Sequence, residues 1–418
     1  MTASPNAVTR ARRIAVLLPS LEGGGAEWCM LKLVRGFLDQ GREVDLVLCQ
    51  AKGAYMDSIP DEANLVVLEA AGPLMSRVRA AITHPAGFMR MLLPVILAKK
   101  SPPEPAFLDS LIRYMDSGRA DVVVSALSYT NLLNIWARGR SKTKPPVLVS
   151  ERNAIATHCA MPENHRKWRW RYLPDLVRHS YPEADGVITV SDYVKDELVN
   201  RVGLCRDSIS TIYNPVVDEE LLGRAAEPLK NDWFAPEAPP VVLGVGRLTE
   251  QKDFATLMRA FAEVRKQREA RLVLLGEGRL REELERLAQQ LGIADDVRMP
   301  GFVPNPLRYM ARAGVLVSSS EYEGLPGVLI QALAAGCPVV ATDCRGGSRE
   351  IVADGECGAL VEIGDHLGMA RAIAAELDQP SDPDKLRERS RAFCVLTGVD
   401  NYLNMIDATL TAYTQRVS

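Results

Sequence analysis

Short runs of β-branched and aliphatic residues alternate along this chain with longer stretches whose apolar positions recur at helical spacing. Such short runs read as strands buried on both faces and the longer stretches as amphipathic helices, the pattern of parallel crossover units. In the first half the pattern predicts a strand over Ile14 to Leu21, a loop from Glu22 to Gly25, a helix through Leu38 and a strand over Glu43 to Cys49. Further apolar runs at Asp121 to Ala126, Pro146 to Ser150, Gly186 to Ser191 and Ile209 to Tyr213 extend the same sheet. From 223 to 240 the run GRAAEPLKNDWFAPEAPP is rich in proline and charge and lacks apolar periodicity, as a linker does. The pattern then restarts, with strands expected at Val241 to Val245, Arg271 to Leu275, Val297 to Met299, Val315 to Ser319, Pro338 to Thr342 and Ala359 to Glu362. Helical stretches such as Asp253 to Arg265 separate them, and a last helix is expected over about 400–415. The fold class is α/β, with two open sheets facing a cleft and ligands beyond the strand carboxyl ends.

A length of 418 residues exceeds one comfortable core and agrees with two domains. The net charge of -3 argues against a nucleic-acid partner, which a basic excess would signal. Eight cysteines without a CxxC pair and five histidines without ligand spacing signal neither a metal site nor a disulfide framework, and a reduced cytoplasmic protein is the expectation. Residues 1–13 hold no apolar region of a secretion signal, and no stretch approaches the ~20 apolar residues that span a bilayer.

The densest chemistry lies in EYEGLPGVLIQALAAGCPVVATD, Glu321 to Asp343. Val315 to Ser320 reads as a strand, Gly324, Pro326 and Gly327 as a tight loop, and Val328 to Ala335 as a helix stopped by Gly336. Glu323 therefore falls between a strand end and a helix start, where free N–H groups and a positive dipole end suit an anion. In GVGRLTEQKDF, Arg247 follows a strand and Lys252 opens the next helix. A guanidinium there can grip two oxygens in a fork, while an ammonium acts as a compact point charge.

This run resembles the acidic signature of retaining GT-B glycosyltransferases of family four, the group 1 glycosyl transferases, and GVGRLTEQKDF resembles their arginine and lysine pair. The resemblance is strongest from Val241 to Val361 and weakest from Ala51 to Pro145. It implies a GT-B fold: an acceptor-binding Rossmann-like domain at 12–222 to which 400–418 returns, a linker at 223–240, and a nucleotide-sugar domain at 241–399. It also implies a nucleotide diphosphate donor, UDP ahead of GDP, with no cofactor and no metal. Glu323 would hold the sugar, Arg247 and Lys252 the diphosphate, and the backbone of Gly324, Leu325, Pro326 and Gly327 the donor. Gly276 in LLGEGRL and Phe302 with Val303 in MPGFVPN match the segments around the base. One position departs: the family's second glutamate, a ribose acceptor, is replaced by Gln331. A charged hydrogen bond contributes roughly 1.5–3 kcal/mol against about 0.5–1.5 for a neutral one, so the change costs about fivefold in donor affinity.

DCRGGSREIVADGECGALV places Gly346 and Gly347 before a further helix. In the first domain, EGGGAE puts Gly24 and Gly25 at a helix start, where backbone can approach a phosphate or acceptor. It is not the GxGxxG fingerprint, which speaks against a nicotinamide dehydrogenase. LVSERNAIATH resembles the family variant with SERN at the cleft, so Arg152 falls where many relatives have histidine and Asn153 beside it; His158 reads as structural. Between Ala70 and Pro103 there is no Asp or Glu, while five Lys and Arg interleave with apolar residues. That segment fits an anionic membrane surface or an insertion helix packed on the first domain equally well. HRKWRWRYL, His165 to Leu173, reads as a structural helix ahead of a membrane contact. The expected partners are a nucleotide-sugar and a glycan or lipid-linked glycan, at the inner face of the plasma membrane, in cell-envelope polysaccharide synthesis. A catalytically silent nucleotide-sugar-binding protein and a GT-B phosphorylase or epimerase are the rivals.

Overall fold

The computed structural model describes residues 9–72 and 102–417. The basic apolar segment at 74–100 lies outside the described residues. The chain divides into two compact units, Met1–Pro215 with Val395–Ser418, and Val216–Cys394.

The first unit is built on seven parallel strands: β1 Arg13–Leu18, β2 Glu43–Leu48, β3 Asn64–Val67, β4 Val122–Ala126, β5 Val147–Glu151, β6 Gly186–Thr189 and β7 Ile209–Thr211. Their order is β3-β2-β1-β4-β5-β6-β7. All but β3 were expected. Leu65 to Leu68 is an unbroken apolar run like the others, but β3 lies at the edge of the sheet and its residues are mostly exposed. The central strands β1, β4 and β5 are buried almost throughout, with Ile14 paired to Val44 on one side and Val122 on the other. Their valines, leucines and isoleucines fit the pleat on both faces, which is why this composition makes strands here.

The second unit has six parallel strands: β8 Val241–Val245, β9 Arg271–Leu275, β10 Val297–Gly301, β11 Val315–Ser318, β12 Val339–Thr342 and β13 Ala359–Val361. Their order is β10-β9-β8-β11-β12-β13. The winding direction therefore reverses between β1 and β4 in one sheet and between β8 and β11 in the other. At such a switch point adjacent loops leave in opposite directions and open a crevice beyond the strand carboxyl ends. Residues 223–240, expected as a linker, pack on the second unit. Trp233 is buried there, with the Arg298 and Arg271 guanidiniums 4.0 and 4.9 Å from its ring centre.

The last helix, Val395–Val417, returns to the first unit and begins five residues before its expected start. It lies on the helix Gly25–Asp39, where Gly36 permits the approach: a Cβ there would come within 2.2 Å of Val399. Tyr402 is fully buried beside Phe37, and its hydroxyl lies 3.0 Å from that of Ser150. Asp407 accepts from Arg42 at 2.7 Å and from the Ala11 amide at 2.8 Å.

Candidate functional site

In the second unit, five loops at the carboxyl ends of adjacent strands are fastened to each other. The β8 and β9 loops touch through Gly276, whose φ is +143° and whose absent Cβ would fall 1.9 Å from the Gly246 carbonyl oxygen. Leu248 N–H donates to Glu277 O at 2.9 Å, and Gly276 N–H donates to Gly301 O at 2.9 Å, which adds the β10 loop. The β11 and β12 loops join where Glu323 N–H donates to Arg345 O at 3.0 Å and Gly347 N–H to Gly324 O at 2.9 Å. Gly346 makes that contact possible, since a Cβ would lie 2.3 Å from the Glu323 carbonyl oxygen.

The loops after β8 and β11 meet at the switch point of this sheet, and their side chains meet there too. Lys252 Nζ donates to Glu323 Oε1 at 2.5 Å, and the Ser320 hydroxyl donates to the same oxygen at 2.8 Å. Only 16% of the Lys252 and 11% of the Glu323 side chain is exposed, so water screens the pair little. Backbone contacts hold both ends in register: Ser319 Oγ donates to Lys252 O at 2.7 Å, Gln251 Nε2 to Tyr322 O at 3.0 Å, and Glu321 N–H to Gln251 O at 2.9 Å. Lys252 ends a short turn, Glu250–Lys252, and the helix Phe254–Arg265 starts only after Asp253, which caps it. Lys252 thus stands two residues ahead of the helix it was expected to open.

Arg247 is exposed in the loop after β8, and no ion pair to a described residue holds it. The helix Gly327–Ala335 begins at Pro326 without a side-chain cap and stops at Gly336, φ +75°. Its first amides remain available to an anion. Leu325 is buried under the loop, and Gln331 lies one turn into the helix, partly exposed. Phe302 is 76% exposed and Val303 partly buried at the end of β10. The helix after Gly347 spans only Ser348–Ile351, too short to carry an appreciable dipole. The structure thus brings Arg247, Lys252, Gly276, Phe302, Val303, Glu323 to Gly327 and Gln331 to one end of one sheet.

In the first unit, Gly24 caps the helix Gly25–Asp39 with extended backbone and no side-chain bond. Arg152 and Asn153 follow β5. Glu151 beneath them is fully buried, with Oε1 accepting from the Arg152 amide at 3.0 Å and Oε2 from the Tyr181 hydroxyl at 2.8 Å. Burial pushes its carboxyl up to about 7 despite those bonds. Arg152 is 5% exposed and binds Asn214, yet its Nε and Nη2 have no hydrogen-bond partner among the described residues. A buried guanidinium with two spare donors is equipped for an anion or a carbonyl oxygen.

Glu151, Glu104, Leu127, Ser128, Tyr129 and Trp170 were not singled out as site residues. The signal for Glu151 was present in SERN itself. Glu104 gave none, because a lone glutamate among prolines has no motif. His158, expected to be structural, packs edge-on against Trp170 at 4.9 Å and lines a cavity with it. HRKWRWRYL, expected as one helix, forms the two short helices Pro162–His165 and Trp168–Arg171 and the start of a third, Leu173–Ser180. Among the described residues no cluster of His, Cys, Asp or Glu is arranged to hold a metal ion, and no helix is long and apolar enough to cross a membrane.

Residues 226–393 match the family described as Glycosyl transferases group 1, and 23–220 match Glycosyltransferase Family 4. The chain is similar to the N-acetylgalactosamine-N,N'-diacetylbacillosaminyl-diphospho-undecaprenol 4-alpha-N-acetylgalactosaminyltransferase of Campylobacter jejuni, 35% identical over 51% of this chain and 55% of that one. It is 33% identical to the lipopolysaccharide core biosynthesis glycosyltransferase LpsD of Rhizobium meliloti, over 59% of this chain and 71% of LpsD. Several curated relatives are matched over only about half their length. The fold is similar to that of Anabaena HepE, solved in complex with UDP, with a TM-score of 0.72 at 18% identity over 95% of this chain and 100% of HepE.

Proposed function

Because the chain belongs to the group 1 glycosyl transferases, a family of GT-B fold, we propose that it is a retaining, metal-independent hexosyltransferase. Its donor is a nucleotide diphosphate sugar, UDP ahead of GDP, and its acceptor a glycan or lipid-linked glycan in cell-envelope polysaccharide synthesis at the inner membrane face. The observation that carries this is the shielded Lys252–Glu323 pair at the switch point of the second unit.

Transfer builds negative charge on the departing diphosphate, and preorganised charge is usually the largest catalytic contribution. Lys252 supplies a positive charge already fixed in place, Arg247 a fork for two phosphate oxygens, and the Gly327 helix start its amides. Ser320 and Lys252 both bind Oε1 of Glu323, so Oε2 is the atom suited to accept a sugar hydroxyl. Glu323 thereby positions the sugar and is no nucleophile. In this scheme a donor phosphate oxygen takes the acceptor proton on the face the diphosphate leaves. Arg152, with two spare donors, serves to orient donor or acceptor. The names of the Campylobacter and Rhizobium relatives, one acting on a diphospho-undecaprenol glycan and one in lipopolysaccharide core synthesis, support the acceptor class. The UDP complex of HepE supports the order of donors.

Gln331 favours one rival, a silent nucleotide-sugar-binding protein. A thermal-shift panel with UDP, GDP, ADP, CMP and their sugar conjugates is the first test of donor binding. A ligand at about a hundred times its Kd stabilises by about 2.7 kcal/mol. A shift with one nucleotide class that Lys252→Ala abolishes is expected. A folded protein that responds to none at saturating concentrations contradicts the proposal.

A further inference from the structure

The first unit holds a cavity of about 220 Å³ beside the carboxyl ends of β1, β4 and β5, with Glu104, Ser128, Tyr129, Asn153, His158 and Trp170 in its wall. Of these, only Asn153 was expected as a site residue. The volume is below the roughly 300–1,000 Å³ of drug-sized sites and suits a single sugar ring.

Three observations indicate what the cavity takes. Glu104 Oε2 is shut off from solvent and has no hydrogen-bond partner among the described residues. A buried carboxyl oxygen left unpaired is costly, and a fold that keeps one at a cavity wall keeps it for a ligand that donates hydrogen bonds. Burial, only partly offset by a hydrogen bond from the Glu104 backbone and by the charge of Arg169, also pushes this carboxyl up to about 7. Glu104 stands between Pro103 and Pro105 at the start of the short turn Glu104–Phe107, so its backbone is fixed before any ligand arrives. The wall also carries aromatic rings. Trp170 lies 6.1 Å from Tyr129 and 4.9 Å from His158, the latter at 88°. Leu127 completes the rim with φ +76° and ψ 133°, a conformation a γ-branched residue adopts only under constraint. That turn places Ser128 and Tyr129, the first residues of the helix Ser128–Arg140, in the wall.

A carboxyl, an amide and aromatic rings lining one small cavity suit a neutral sugar, whose hydroxyls donate while its C–H face packs on a ring. They do not suit phosphate, which the carboxylate repels. The geometry points to a monosaccharide-sized subsite for a neutral sugar ring of the glycan acceptor, with Glu104 accepting its hydroxyls and Trp170 forming the apolar wall. This rests on the transferase proposal for its role, although binding itself can be measured without turnover.

The test is saturation-transfer NMR with the methyl glycosides of glucose, galactose, N-acetylglucosamine and N-acetylgalactosamine, alongside glucose 1-phosphate. At least one methyl glycoside is expected to bind with a Kd on the order of 1 mM, about −4 kcal/mol. Glu104→Ala and Trp170→Ala each weaken it at least about tenfold, and Glu104→Gln, which keeps one acceptor oxygen, weakens it less. The nucleotide-induced thermal shift stays as in the unaltered protein in all three, which also reports that they are folded. Equal glycoside binding in Glu104→Ala and Trp170→Ala overturns the subsite, as does a folded protein that binds none of the four. Tighter binding of glucose 1-phosphate than of methyl glucoside overturns its neutral character. If the glycosides bind through Glu104 while no nucleotide binds, the subsite stands and the transferase proposal fails.

Discussion

Glu323 Oε1 accepts from both Lys252 and Ser320, so removing either charged partner changes more than one contact. Lys252→Ala withdraws the positive charge proposed to meet the diphosphate and removes one of the two donors to Glu323 Oε1. Glu323→Ala leaves a shielded ammonium without its counter-charge. Gln331→Glu is the opposite experiment: restoring the carboxylate at the ribose position is expected to tighten donor binding about fivefold, read by calorimetric titration. No change would place Gln331 away from the nucleotide. Glu104 gives a pH prediction. Its folded carboxyl is pushed up to about 7, above its value in the unfolded chain, so the protonated form is favoured by folding. Its contribution is therefore most favourable below the ordinary carboxylate range, near ~4.3, and is lost as pH rises to about 7. Glu104→Gln should raise Tm more at pH 8 than at pH 5. An equal shift at both would show that the carboxyl is not strained by burial.

At the scale of elements, the parallel strands were legible because buried strands need unbroken β-branched and aliphatic runs, and twelve of the thirteen were expected from such runs. The edge strand β3 was passed over although Leu65 to Leu68 is also an apolar run, with Val66 and Leu68 packed on the core and Leu65 and Val67 exposed. The acidic loop was legible for a different reason: Gly324, Pro326 and Gly327 mark a turn by backbone chemistry alone. The side-chain cavity of the first unit was hidden, since Glu104, Ser128 and Trp170 come from separate segments that only the packing of helices brings together. Lys252 was placed in the right loop but at the helix start, whereas the left-handed Asp253, φ +41°, separates it from the helix as its cap. The fastening of the β8 and β9 loops depends on Gly276. Gly276→Ala adds a Cβ that meets the Gly246 carbonyl in a backbone conformation unsuited to a side chain, and should cost about 1–3 kcal/mol in urea unfolding. It should also weaken nucleotide binding. Unchanged stability would mean that the loops are not held through this contact.

At the scale of the whole chain, the first unit is completed by residues from its far end. Tyr402 fills the space between Phe37 and Ser150, and Asp407 is paired with Arg42, with 11% and 12% of their side chains exposed. Tyr402→Ala is expected to cost about 3–5 kcal/mol, seen by calorimetry in the transition of the first unit. A loss confined to the second unit would contradict that placement. In the second unit the sheet reversal between β8 and β11 seats the shielded Lys252–Glu323 pair on which the proposed transfer from a nucleotide sugar rests. The most direct measurement is the rate of nucleotide release and glycan extension from UDP- and GDP-sugars, with a membrane glycolipid extract as acceptor, for the unaltered protein, Lys252→Ala and Glu323→Ala. Turnover with one donor that falls at least about a hundredfold in both folded variants is the predicted result, as for loss of a main electrostatic element. Near-normal turnover in either variant would contradict it.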